Sequence, residues 1–413
     1  PEIKSILIKS LHTHGIFIEK YIKKNKKSMS NHIFIACRAL LFLSIYFNKF
    51  FEESNDWLEY SLCKINKYFD TTFVDGINIE SSVSYQFYLL LDYTRLIYIL
   101  YKNGCKSFMT SKNLHDLTNI FNISKNFLRN YNNKKSIPII GDSPVELDFW
   151  NSNYDLDDIN KMMQYIFINE KDNNNLYLSD KKGMVTNKEC GYILKNKSDE
   201  NNYMQFLFRT KPKYNTFHTQ NDTNSFNLFY NGIDWITDTG FFNYGGELRN
   251  YFKSSIAHNT VVKNLKDETC ITTNIIKSDL KNIIVESKYQ TYIHKREIIF
   301  DTGSIKIIDN IDNIDNIVDN NIFSQLFHLH PDVTIKNTVF NHEEKDDCLI
   351  ELEYDNKLIH IYSKRGYLKT YNGNNDPKIG WYSKDFNNIT STNTISFYKK
   401  NVFTTSFTTF ILF

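Results

Sequence analysis

Between Phe217 and Asn259 the chain reads FHTQNDTNSFNLFYNGIDWITDTGFFNYGGELRNYFKSSIAHN, a polar run holding two histidines, three aspartates, an arginine and a Gly-Gly pair. His218, Gln220 and Asp222 alternate, so on a regular extended strand their side chains point the same way. Asp238, His258 and a third nitrogen or oxygen ligand would suit zinc, whose closed sites take four ligands; Gln220 is a poor zinc ligand for the remaining position. Arg249, Tyr244 and Tyr251 would instead bind an acidic sugar by carboxylate pairing and ring contact. Spacing does not choose between these two chemistries and a plain polar cluster at strand edges.

Two shorter groups precede this run. Ser30, Asn31 and His32 stand immediately before an apolar helical segment. Ser30 or Asn31 can cap that helix, which leaves His32 on the first turn, where unpaired amides favour anions. A neutral imidazole there could take a proton from a substrate carbon, and an Asn amide could hydrogen-bond a carboxylate. A capped helix with a satisfied histidine fits the same residues. The second group is Asp75-Gly76, Glu80, Ser82 and Tyr85. Asp-Gly makes a tight turn and Ser82 or Ser84 can cap the next helix, placing Tyr85 in its first turns. A phenol of pKa ~10 becomes a useful base only where neighbouring cations or donors depress that value.

These residues need elements to hold them, and the apolar period along the chain supplies two kinds. Up to about Phe127 the apolar residues recur at three and four, over His32 to Tyr46, Trp57 to Phe69, Tyr85 to Lys102 and Leu114 to Tyr131, which predicts a helical array. From about Tyr165 the pattern shifts to short alternating runs such as YMQFLFRTK, SFNLFYNG and NIIVESKYQTYIHKREIIF, broken at Asn-Gly and Asp-Asn pairs. Such runs, never alternating with long helices, predict an antiparallel sandwich. The boundary falls near 150 to 165, giving a multidomain α+β chain with a helical domain over 1–160 and a β domain over 161–413. Before the boundary, PIIGDSP carries Asp142 in an ordered loop that either orients polar groups or simply joins the domains.

Length and charge narrow the classes. The 413 residues suit two cores better than one. Lys+Arg 49 against Asp+Glu 47 gives +2 with both signs mixed, no field for nucleic acid, while a locally basic cleft would still hold an anionic sugar polymer. Six scattered cysteines form no CxxC pair and read as reduced core residues. No apolar run approaches the ~20 residues of a membrane span. The start, PEIKSILIKS, looks helical and does not read as a signal peptide, but it lacks an initiator Met and so fits a processed or truncated start; a bacterial periplasm or cytoplasm stays open, as does oligomeric state. The tract from Ile308 to Asn321 reads as biased composition decorating a hairpin.

In this order, the motifs resemble those of the heparinase II/III-like polysaccharide lyases, a family that includes alginate-type lyases. The matching pieces are Asn31-His32, the Asp75 to Tyr85 pattern, Gly141-Asp142, and the run from His218 through Asp238, Tyr244, Arg249 and His258-Asn259; His294-x-Arg296, His328-x-His330 and Gly380-Trp381-Tyr382-Ser383 follow. The resemblance implies an incomplete (α/α) toroid followed by an antiparallel β-sandwich. It also implies β-elimination at a uronic acid of an acidic polysaccharide or oligosaccharide. In that chemistry an amide neutralises the carboxylate, a base removes the adjacent carbon proton and an acid protonates the departing oxygen. Carried over by position, Asn31 neutralises the carboxylate, and Tyr85 is the acid and the base for one substrate configuration. His32 or His218 serves the opposite face, and Glu80, Tyr244, Arg249 and Asn259 bind substrate. The metal positions become Gln220, Asp238 and His258; the first departs from the histidine of metal-binding members, and a hydrogen-bonded cluster could replace zinc, so no cofactor is required. A uronosyl C5 epimerase in surface-polysaccharide synthesis and a non-catalytic glycan-binding protein are the rival readings.

Overall fold

The computed structural model describes residues 2–28, 30–105, 110–132, 134–143, 156–168, 183–199, 202–314, 321–341, 347–364, 366–400 and 402–413. Two compact units emerge, one drawn from Pro1–Ile77, Tyr88–Asn122 and Tyr154–Ser179, the other from Asn78–Phe87, Ile123–Asn153 and Asp180–Phe413. Part of the expected boundary, and part of the Ile308 to Asn321 tract, lies outside the described residues.

The first unit is built on helices: α1 (Glu2–Lys24), α2 (Asn31–Tyr46), α3 (Ser54–Thr72), α4 (Val83–Lys102, from Tyr88 onward), α5 (Ser111–Phe127, up to Asn122) and α6 (Leu156–Ile168). α2 is apolar on most of its surface, and Phe34, Cys37, Leu40 and Leu41 are all buried. Phe34 stacks on Tyr68 of α3 with centroids 5.1 Å apart, and meets Phe69 edge-on at 5.4 Å. Gly15 sits inside α1 because a Cβ there would strike the Trp57 ring of α3, so the missing side chain lets the helices approach. Arg38 of α2 pairs with the buried Asp92 of α4. Ser30 occupies the N-cap of α2 with extended backbone, yet its side chain caps no amide of the helix. Among the described residues, no helix is long and apolar enough to cross a membrane.

The second unit holds three principal antiparallel sheets. A five-stranded meander runs in chain order through Met184–Asn187, Tyr192–Ser198, Tyr203–Arg209, Phe226–Tyr230 and Ile233–Ile236. A four-stranded sheet orders Val261–Lys263, Ile322–His328, Asn393–Lys400 and Tyr367–Asn372. In the eight-stranded sheet, the strand Thr404–Leu412 is inserted between Ser304–Asn313 and Lys357–Lys364. Inward residues of all three sheets share one core: Phe206, Phe226 and Trp235 from the first, Phe327 and Phe397 from the second, Ile298, Ile350 and Ile411 from the third. Burying such side chains stabilises by about 1.5–3 kcal/mol each.

A polar staple crosses this core. Arg296 and Asp309 are directly opposite across paired strands. The Asp309 carboxylate accepts from Arg296 Nε (2.6 Å) and Nη2 (2.8 Å), His294 Nε2 (2.7 Å) and Gln325 Nε2 (2.7 Å) of the four-stranded sheet. His294 and Arg296 are therefore structural ties. The helix expected over Leu114 to Tyr131 stops at Phe127, and Arg129–Tyr131 pairs with Lys134–Ser136 as a hairpin. Tertiary bonds decide this: Arg129 is buried and donates to Gln205 Oε1 (2.8 Å) and Asp234 Oδ1 (2.7 Å). All six cysteines are free, four of them buried.

Candidate active site

The start of α4 lies in the β unit and is held there by serines. Ser82 Oγ accepts from the Tyr85 amide at 3.3 Å, one turn on, as an N-cap does. Ser143 Oγ accepts from the Val83 and Ser84 amides at 3.0 and 3.3 Å while donating to the Ile140 carbonyl. Ser82 donates in turn to the Asp142 carbonyl at 2.9 Å, and Asn227 of the meander holds the Ile139 carbonyl at 2.9 Å. Gly141 turns at φ +60°, and a Cβ there would run into the Ser81 carbonyl. The Ile139–Ser143 segment thus joins the helix that carries Tyr85 to the meander.

Asp142 is fully buried and forms the hub of the side-chain cluster. Its Oδ2 accepts from His218 Nδ1 (2.7 Å) and Arg249 Nη2 (2.7 Å); its Oδ1 accepts from Gln220 Nε2 (3.0 Å) and Arg249 Nη1. His218 and Gln220 both reach Asp142, but residues 217–225 form turns rather than the regular strand expected, and the third alternating residue, Asp222, instead accepts from Arg209 Nε at 2.8 Å. Burial alone would raise the Asp142 pKa, but the bonds and charges of His218 and Arg249 outweigh it and hold the carboxyl below its ordinary value. An ionised carboxylate only accepts, so the facing Nδ1 of His218 carries hydrogen.

Tyr85 is half-buried, its ring centroid 4.4 Å from that of His218, and its hydroxyl lies 3.3 Å from the Tyr244 hydroxyl on an exposed edge. Burial first, then the Tyr244 hydroxyl and the Asp142 and Glu80 charges, push the Tyr85 phenol well above its usual value. Burial also raises Tyr244. Glu80 sits at the margin, its amide donating to Asn78 Oδ1 (2.6 Å) and its carbonyl accepting from Thr216 (3.3 Å). Tyr85, Glu80, His218, Gln220, Tyr244 and Arg249 are therefore one neighbourhood around Asp142, which orients polar groups as one of its two sequence readings had it, and Ser143 is added by the structure. Ser143 directly follows the Gly141-Asp142 pair that the sequence already marked, and that adjacency was its available signal.

Other expected residues take different places. Asn31 is half-buried and His32 exposed on the first turn of α2, in the helical unit. Arg249, expected to hold an acidic group, is buried with both η nitrogens on Asp142 and Nη2 also on the Phe217 carbonyl at 3.1 Å. Tyr251 is likewise buried. Asn259, expected to touch substrate, is fully buried: its Nδ2 donates to the Phe226 and Thr237 carbonyls, both at 2.8 Å, and its Oδ1 accepts from the His328 amide at 2.6 Å. It ties strands together and has no free polar end.

The zinc positions do not fit a zinc site. Gln220 uses its amide nitrogen on Asp142. Asp238 Oδ2 bonds His258 Nδ1 at 3.0 Å and Oδ1 accepts from the Gly240 amide at 2.8 Å. The buried His258 Nε2 and Gln220 Oε1 lack hydrogen-bond partners, but a carboxamide is a poor third ligand. Among the described residues, no three His, Cys, Asp or Glu side chains gather closely enough to hold a metal. Burial raises Asp238, and Asp238 in turn raises His258 against the opposing effect of burial.

Comparison with known proteins places these features in a family context. The heparinase II/III N-terminus family model matches residues 3–170, and the heparinase II/III-like C-terminal model matches 180–408. Among solved structures, a heparan sulfate lyase HepC mutant from Pedobacter heparinus superposes with a TM-score of 0.73 at 17% identity, over 93% of this chain and 60% of that one. A heparinase III gene product gives 0.73 at 17% identity, over 97% of this chain and 62% of that one. This likeness is one of fold, an incomplete toroid followed by antiparallel β-sheets. The chain spans about three fifths of the length of these proteins. No curated protein matches it.

Proposed function

The chain belongs to the heparinase II/III family, and we propose from that premise that it is a polysaccharide lyase, cleaving a uronic-acid-containing glycan by β-elimination. The observation that carries the reading is the pairing of a proton-bearing Tyr85 with His218, rings 4.4 Å apart, the imidazole fixed through Nδ1. With Nδ1 bound to Asp142, Nε2 is the nitrogen with a lone pair for a substrate proton. Removal of the proton beside the uronate carboxylate leaves an electron pair that forms the carbon–carbon double bond as the bond to the glycosidic oxygen breaks. Tyr85, its pKa raised by burial, delivers the proton that oxygen needs. For the opposite configuration at the acidic carbon, the family position would make Tyr85 the base as well, a role its burial-raised phenol opposes, and His32 remains a candidate through its family position. Asn31, also by position, is assigned the carboxylate. Tyr244 lies at the exposed end of the hydroxyl pair, suited to contact a sugar ring.

The substrate class is an acidic polysaccharide, and heparan sulfate, the substrate named for the HepC structures, heads the panel. The test is ultraviolet absorbance of the conjugated unsaturated uronate during incubation with uronate polymers. Wild type should generate it, and Tyr85→Phe should lower the rate about 10²–10⁴-fold while glycan binding persists. Binding without turnover on any polymer would instead favour a glycan-binding protein, and solvent-hydrogen exchange at the uronate carbon without cleavage would favour an epimerase.

A further inference from the structure

The function of Asp142 follows from what surrounds it. Its carboxylate is fully buried and receives four donors. Three of those donors cannot exchange roles without rearrangement: the two Arg249 N–H groups never accept, and the His218 Nδ1–H is fixed by the oxygen it faces. Arg249 matches the single negative charge, so His218 is held by a hydrogen bond and is not required as the counter-ion. Gln220 fills the remaining approach with a neutral amide.

We propose that Asp142 is the positioning residue of this site: it holds His218 in the Nδ1–H tautomer, which leaves Nε2 as the proton acceptor, while Arg249 and Gln220 brace the carboxylate. Arg249 therefore acts on the reaction through Asp142 rather than by clasping the glycan. The arrangement gives the imidazole a defined donor and a defined acceptor nitrogen before substrate arrives. It also explains why a glutamine serves at position 220, where its amide has a bond to make. The kinetic consequence rests on the lyase reading; the tautomer does not.

The experiment is nitrogen-15 NMR of the histidine rings, with His218 assigned by its absence in His218→Ala. In wild type the His218 Nδ1 should give a protonated, pyrrole-type signal and Nε2 a pyridine-type signal. In Asp142→Asn an amide nitrogen at either former oxygen position confronts an Arg249 N–H, so the cluster cannot keep its arrangement and the Nε2–H form should appear. The turnover number should then fall about 10²–10⁴-fold with KM little changed, and the same substitution should add little in a His218→Ala background. A wild-type ring in the Nε2–H form overturns the proposal, and this measurement needs no Asp142 variant that folds. An Asp142→Asn protein with unaltered ring signals overturns it too, as does an equal rate loss with and without His218. Should no polymer be turned over, the ring spectra still decide the positioning role while the lyase reading fails separately.

Discussion

A hydroxyl that protonates a leaving oxygen must keep its proton until the glycan arrives, and Tyr85 is held in that state by burial and by the hydroxyl of Tyr244. Tyr244→Phe removes one neutral hydrogen bond, worth about 0.5–1.5 kcal/mol, and so should slow turnover roughly 2- to 10-fold. Initial rates of Tyr244→Phe and Tyr85→Phe on one polymer check the ranking; equal losses would show Tyr244 to be a proton donor in its own right. Residue types here were legible in the sequence, and partners were not. Arg249 shows a charge but not that Asp142, 107 positions earlier, meets it. Asn259 takes a substrate role from its family position, whereas its amide satisfies two backbone carbonyls that no local pattern marks as unpaired.

Elements transmit order from Ile139–Ser143 to Tyr85. Ser143 satisfies two amides at the start of α4, a non-local cap, and loss of a cap costs about 0.5–2 kcal/mol. Gly141→Ala should cost more, since its positive φ alone carries about 1–3 kcal/mol of strain for a side chain, and the Ser81 carbonyl blocks the new Cβ. Thermal melts of Ser143→Ala and Gly141→Ala should therefore fall in that order below wild type, with Gly141→Ala also losing activity because Asp142 and the start of α4 shift together. A fully active, equally stable Gly141→Ala would remove this segment from the positioning argument. The long helices were readable because one apolar face repeats at three and four. The short helix α7 (Gly246–Lys253), which carries Arg249, was not: in eight residues its buried Arg249, Tyr251 and Phe252 give too little period to register.

At the scale of the molecule, the shift from helical to alternating period forecast the antiparallel sheets, while strand order escaped it, because inserting Thr404–Leu412 beside Ser304–Asn313 joins segments about a hundred residues apart. The same sheet packing creates a stability term that depends on pH. Lys195, on the meander strand Tyr192–Ser198, points into a cleft of about 430 Å³ shared with Leu280, Phe300 and Asp301, donates to the Leu280 carbonyl and lies 3.9 Å from the Phe300 ring centroid. Burial first, then the Lys197 charge, pull its pKa down to about 8, with Asp279 opposing. Between about 8 and the ordinary lysine value of 10.5 the unfolded chain binds the extra proton, so stability rises with pH across that window. Below it both states are protonated and the folded state bears the full cost of the buried charge; above it the cost is gone. Denaturant midpoints measured from pH 7 to 10.5 should climb for wild type relative to Lys195→Met, which lacks the group. Parallel curves for the two proteins would mean that Lys195 stays hydrated in its cleft and that this sheet contact is looser than its geometry indicates.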